Sequence, residues 1–130
     1  MAAEQRGTLS CKAARRSLAD AFLPHRNNGG RKKYLQIIAT LVAKKAHADE
    51  VRNLLTPAVK DFRAEPGCLG YVLMEDRKHA GRFMTYETWE DEAALKTHMH
   101  SPTMEKLGPL LKQLLDGEIK QDFLTVLAQA

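Results

Sequence analysis

Glu65–Pro102, EPGCLGYVLMEDRKHAGRFMTYETWEDEAALKTHMHSP, decides the fold. Glu65-Pro66-Gly67 is a breaker run that ends whatever precedes it. Cys68–Glu75 and Arg82–Glu90 read as strands, and the short polar link Asp76–Gly81 predicts an antiparallel hairpin between them. Asp91 suits a helix N-cap, with Glu92 in the first turn favoured by the helix dipole. Ser101-Pro102 then restarts a helix as N-cap and N1 proline.

Working outward, Tyr34–Ala43 is rich in Ile, Leu, Val and Thr and predicts a first strand. Val51, Leu54, Leu55, Ala58, Val59 and Phe62 recur at helical spacing, which predicts a helix over His47–Ala64 with a bend or loosening at Pro57. Leu107, Leu110, Leu111, Leu114 and Leu115 stripe the helix after Ser101, with a kink expected at Gly108-Pro109 and a stop at Asp116-Gly117. Ile119–Ala128 predicts the last strand. The order β-α-β-β-α-α-β gives an α+β, ferredoxin-like fold: a four-stranded antiparallel sheet with helices on one face. On the third strand Phe83 and Trp89 fall on one face, Met84 and Tyr86 on the other. A sheet apolar on both sides requires a second layer, most simply another copy, so a homodimer forming a dimeric α+β barrel is expected.

The 130 residues, 44% hydrophobic and 28% charged, suit one soluble globular domain. No apolar run approaches the roughly 20 residues of a membrane span. The net charge of +4 is unevenly spread. Residues 1–33 hold eight Lys/Arg against two acids, whereas 34–130 hold 12 against 14. A basic N-terminal extension over 1–33 and a domain over 34–130 are therefore expected. The extension reads as a loose segment, an arm on a partner subunit, or an organelle-targeting helix over Leu9–Leu23. The domain itself lacks the basic excess of a nucleic-acid binder. Two cysteines, Cys11 and Cys68, make no disulfide framework or metal site, and the reduced cytoplasm is the default compartment.

Glu65-Pro66-Gly67-Cys68, Arg82-Phe83, Tyr86-Glu87-x-Trp89 and His98-x-x-Ser101-Pro102 together resemble the antibiotic biosynthesis monooxygenase domain family over Tyr34–Ala128. The resemblance implies a small dimeric α+β barrel, with quinol monooxygenases among its relatives. The wider superfamily also includes haem-degrading monooxygenases and an isomerase of a phosphorylated autoinducer. This chain departs from many members in having Thr103, not histidine, after the Ser-Pro, with His100 before it.

Among chemically useful residues, His98 is placed inward by its spacing from Ala94 and Leu95, and His100 outward. Imidazole suits a general base; the plain alternative is a helix-end histidine bonded to backbone or a neighbouring acid. Trp89, Tyr71, Tyr86 and Phe83 could wall an apolar substrate pocket or simply pack the core. Glu87 is either at a wet dimer seam beside a cation such as Arg82, the favoured reading, or in a pocket. No phosphate loop, nucleotide fingerprint or metal-ligand spacing occurs, so neither metal nor other cofactor is expected.

The expected function is a cofactor-independent monooxygenase that oxidises a small quinol- or polyphenol-like aromatic with O2. His98 would deprotonate the phenol to an electron-rich anion. The alternatives are an isomerase of a small phosphorylated metabolite, for which only Arg82 and Lys96 offer cations, and a non-catalytic dimeric ligand-binding module. Haem degradation fits less well, because the first strand lacks the asparagine those relatives use.

Overall fold

A computed structural model describes residues 34–130. The basic segment 1–33 lies outside the described residues. The hairpin forms as its turn chemistry requires: β2 (Cys68–Glu75) pairs antiparallel with β3 (Arg82–Trp89). Gly81 closes it at φ +92°, a left-handed conformation that glycine adopts without steric cost. Two carboxylates fix the link. Asp76 accepts from the Lys78 amide and the Arg82 guanidinium, each at 2.8 Å. Glu75 accepts from the Gly81 amide at 2.9 Å and from both Nε and Nη2 of Arg52 at 2.8 Å.

In front of the hairpin lie β1 (Leu35–Val42) and α1 (Ala48–Arg63); behind it come α2 (Glu92–Met99), α3 (Pro102–Leu114) and β4 (Lys120–Leu124). The four strands form one antiparallel sheet in the order β2-β3-β1-β4. This is the ferredoxin-like α+β arrangement, with the first strand central because the chain returns to it twice. Register decides which side chains go under the helices. Leu41 lies opposite Phe83, Ala39 opposite Thr85 and Ile37 opposite Glu87, and all six are buried. From the helix side, α1 contributes Val51, Leu55, Ala58 and Phe62, and α3 contributes Leu107 and Leu111. Burying each of the larger of these is worth roughly 1.5–3 kcal/mol.

The opposite face carries Ile38, Met84 and Tyr86, half-buried, with Val72 47% and Met74 43% exposed. Thr88 and Gln36 of this face are buried and hydrogen-bonded to each other at 2.8 Å.

The helix starts follow the caps. Asp91 accepts from the Ala94 amide, and Ser101 from the Met104 amide with Pro102 at N1. Both α1 and α3 run through their internal prolines, Pro57 and Pro109, with their apolar residues packed on the sheet. One expectation changes. The last strand is Lys120–Leu124, not Ile119–Ala128: it pairs only with β1, and that ladder ends at Gln36–Leu124, one residue from where β1 begins.

Candidate active site

His98, in the last turn of α2, is 4% exposed and inserted among aromatic rings. Trp89 lies tilted against it with centroids 4.5 Å apart, Phe62 meets it edge-on at 4.8 Å, and Tyr71 lies at 6.2 Å. Its Nδ1 is 2.7 Å from Oε1 of Glu65, itself largely buried. Facing a carboxylate, the neutral ring places its hydrogen on Nδ1, and that tautomer leaves the lone pair on Nε2. Among the described residues Nε2 has no hydrogen-bond partner.

Glu65 is held by the turn between α1 and β2. Its amide donates to the Phe62 carbonyl and its carbonyl accepts from the Cys68 amide, each at 3.1 Å. Gly67 follows at φ +80°, and its carbonyl accepts from the Glu90 amide at 2.7 Å. A Cβ on Gly67 would overlap that of Ala94, so only glycine lets α2 approach the turn this closely. The approach is what brings His98 to Glu65.

A second carboxylate, Glu87 of β3, is 3% exposed. Its Oε2 accepts from the Thr85 hydroxyl at 2.6 Å and its Oε1 from the Trp89 indole N–H at 2.9 Å. The 2.6 Å contact lies in the range of a charge-assisted O–H···O⁻ bond. No cation pairs with Glu87 among the described residues. Burial pushes the Tyr71 phenol far above its ordinary range, and the nearby negative charge of Glu87 adds to this, so the phenol remains a donor.

His98, Tyr71, Thr85 and Glu87 open on one cavity of about 180 Å³ between sheet and helices. Phe62, Leu55, Met104, Leu107 and Leu111 supply its apolar walls, and Ile119 and Gln121 border it beside β4. No lysine or arginine lines it. A family model described as antibiotic biosynthesis monooxygenase matches residues 34–108, more than half of the chain.

The chain belongs to the antibiotic biosynthesis monooxygenase family. The crystal structure of PA3566 from Pseudomonas aeruginosa is similar at 35% identity and a TM-score of 0.71, covering 76% of this chain and 100% of that one. A structure solved as an antibiotic biosynthesis monooxygenase is 31% identical with a TM-score of 0.68, covering 72% and 99%. An uncharacterized Synechocystis protein, sll1783, is 29% identical over 66 residues, 51% of this chain. Those residues span only 45% of that curated relative.

Within this antibiotic biosynthesis monooxygenase chain, the residues nominated from sequence separate into three groups. His98, Tyr71 and Glu87 meet at the cavity. Trp89 does not line it but backs both His98 and Glu87. Phe83 and Tyr86 are not brought to it: Phe83 packs in the core under Arg52, and Tyr86 sits on the opposite face of the sheet opposite Ile38. The seam reading of Glu87 is corrected. Strand alternation puts it under the helices beside Thr85, and Arg82 pairs with Asp76 instead. His100 is exposed. Sequence reasoning missed Glu65, read only as part of a breaker run, and Phe62, read only as helix stripe. The available signal was register: Cys68 pairs with Trp89, so a turn before β2 must lie at the end of the sheet where α2 starts.

Proposed function

We propose that this chain is a cofactor-independent monooxygenase of a small, single-ring hydroxyaromatic, acting in the cytoplasm as a homodimer through its outer sheet face. In this reading residues 34–130 are the working domain and 1–33 an extension. The observation that carries it is the open Nε2 of His98 in an aromatic, lysine- and arginine-free cavity, with Nδ1 held by Glu65. Cavities near 150 Å³ accept about one benzene ring, so the space of about 180 Å³ suits a substrate of that size. Val72 and Met74, exposed on the outer face, support the second layer.

Nε2 takes the phenolic proton, and Glu65 stabilises the imidazolium that forms. The resulting anion gives electrons to O2. A carbon–oxygen bond forms, the O–O bond breaks, and water leaves with the ring hydrogen and returned proton. For a hydroquinone the balance is one quinol plus one O2 to one hydroxyquinone plus one water, four electrons passing from ring to oxygen. A water-poor pocket favours the charged step by removing competing solvent. The phosphorylated-metabolite isomerase is less well supported, because no cation lines the cavity to hold phosphate.

Oxygen uptake measured with a panel of hydroquinones and catechols tests the reading, alongside His98→Ala. Uptake stoichiometric with product, and lost in the variant while ligand affinity persists, is expected. Turnover that continues without oxygen overturns the reaction; unchanged turnover in the variant removes His98 from it. Ligand binding without turnover under any condition leaves the non-catalytic module.

A further inference from the structure

Glu87 is a buried carboxylate held only by neutral donors: the Thr85 hydroxyl, the Trp89 indole N–H and the Tyr71 phenol directly across the β2–β3 ladder. Leu73 and Thr85 occupy the neighbouring inward positions of β2 and β3, and no cation among the described residues offsets the charge. Burying an ion with only neutral donors around it is costly, and the cost is relieved by any group that brings further hydrogens. An ionised carboxyl has about four lone-pair positions. Thr85 and Trp89 fill two of them from the same strand and the Tyr71 phenol takes a third from β2, which leaves about one, and Glu87 borders the cavity.

We infer that Glu87 is the specificity-determining residue of the cavity: it requires a second hydrogen-bond donor on the ring and rejects rings carrying an anionic substituent. The inference rests on the proposed binding of a hydroxyaromatic at His98. One donor of the ring then meets Nε2 of His98. A second, a hydroxyl or amino hydrogen, meets a free lone pair of Glu87. Both groups line the same cavity of about 180 Å³, a space of the size one small ring fills, and Trp89 backs both, its ring 4.5 Å from the imidazole and its N–H 2.9 Å from Glu87. A carboxylate or phosphate on the substrate would face Glu87 with no lysine or arginine to offset it. It is excluded by like charge in a low-dielectric site. The carboxylate therefore counts donors and screens charge, which apolar walls cannot do.

Titration calorimetry without oxygen tests this through ligands alone. Hydroquinone and resorcinol are compared with 4-fluorophenol and 3-fluorophenol, which match them in size and lack the second donor, and with 4-hydroxybenzoate. One hydrogen bond to a charged group predicts binding of the diphenols about tenfold or more tighter than of their fluoro analogues. No binding of 4-hydroxybenzoate is expected. In Glu87→Gln the diphenol preference should shrink to within about threefold, and 4-hydroxybenzoate should bind, since the amide keeps the volume and loses the charge. Equal affinity of each diphenol and its fluoro analogue overturns the role, and does so even if the variant fails to fold. So does tight 4-hydroxybenzoate binding to the unaltered protein. Diphenol selectivity with no oxygen uptake overturns the monooxygenase reading and leaves Glu87's role standing. Uptake equally fast with fluorophenols overturns Glu87's role and leaves the reaction. Binding of none of these ligands overturns both.

Discussion

Replacing Gly67 by alanine should unfasten the turn that carries Glu65 from the helix that carries His98. Two penalties add. Gly67 sits at φ +80°, where an L-residue pays about 1–2 kcal/mol. The new Cβ would lie closer than 3.0 Å to the Cβ of Ala94, within the first turn of α2, whereas unstrained carbons sit at about 3.5–4.0 Å. Ala94 is backbone-anchored through Asp91 and cannot swing aside, so turn or helix must move. Overpacking of this kind costs about 1–3 kcal/mol. The sum, about 2–5 kcal/mol, is a large share of the stability of a small domain. It corresponds to a fall in Tm of about 10–30 °C, read by circular dichroism or differential scanning fluorimetry.

The second variant separates the two terms. Ala94→Gly alone should destabilise, by about 1 kcal/mol, through helix propensity. In the Gly67→Ala background it should instead stabilise, because it removes the overlap and leaves only the dihedral cost. That reversal of sign is the fingerprint of a direct contact. A Gly67→Ala protein melting within about 3 °C of the parent would refute the strain argument. A purely additive double variant would refute the contact with Ala94.

Glu65→Gln keeps an acceptor for Nδ1 of His98 but removes the charge facing the imidazolium, so kcat should fall about tenfold with little change in Tm; an unchanged kcat across pH would remove Glu65 from base catalysis. Glu75→Gln should lower Tm at neutral pH, since the Arg52 hydrogen bonds, then the Gly81 amide, hold the Glu75 carboxyl down at about 2. A depressed folded-state value means the stabilisation is complete above the ordinary value of 4.5 and is lost as pH falls toward about 2. Parent and variant melting curves should therefore converge over that acid window, and a gap constant down to pH 2 would contradict it. Leu107→Ala, which enlarges the cavity from the α3 side, should cost about 2–4 kcal/mol and shift ligand preference in calorimetry toward two-ring compounds.

The elements and their order were legible in sequence because each carries a local signal. Breakers at Glu65-Pro66-Gly67, caps at Asp91 and Ser101, alternation along Arg82–Trp89 and the stripe Val51–Phe62 act over a few residues, where chain neighbours are fixed by the backbone. His98 was legible for the same reason, one helical turn from Ala94 and Leu95. The extent of β4 was not, since a strand lasts only as long as its partner's ladder.

The site's polar logic needed tertiary structure. Glu65 is 33 residues from His98, and only the left-handed Gly67 and its fit against Ala94 close that distance to 2.7 Å. Glu87 was visible as an oddity within its strand. What decided between an outer seam and an inner pocket was which face the helices cover, a property of packing and not of any one segment. By itself the Glu65–Pro102 stretch determined a hairpin, two caps and an inward histidine. The folded sheet decided that a turn acid orients that histidine and that a buried carboxylate shares its cavity, because hydrogen bonds and charge act across space between residues the sequence keeps apart.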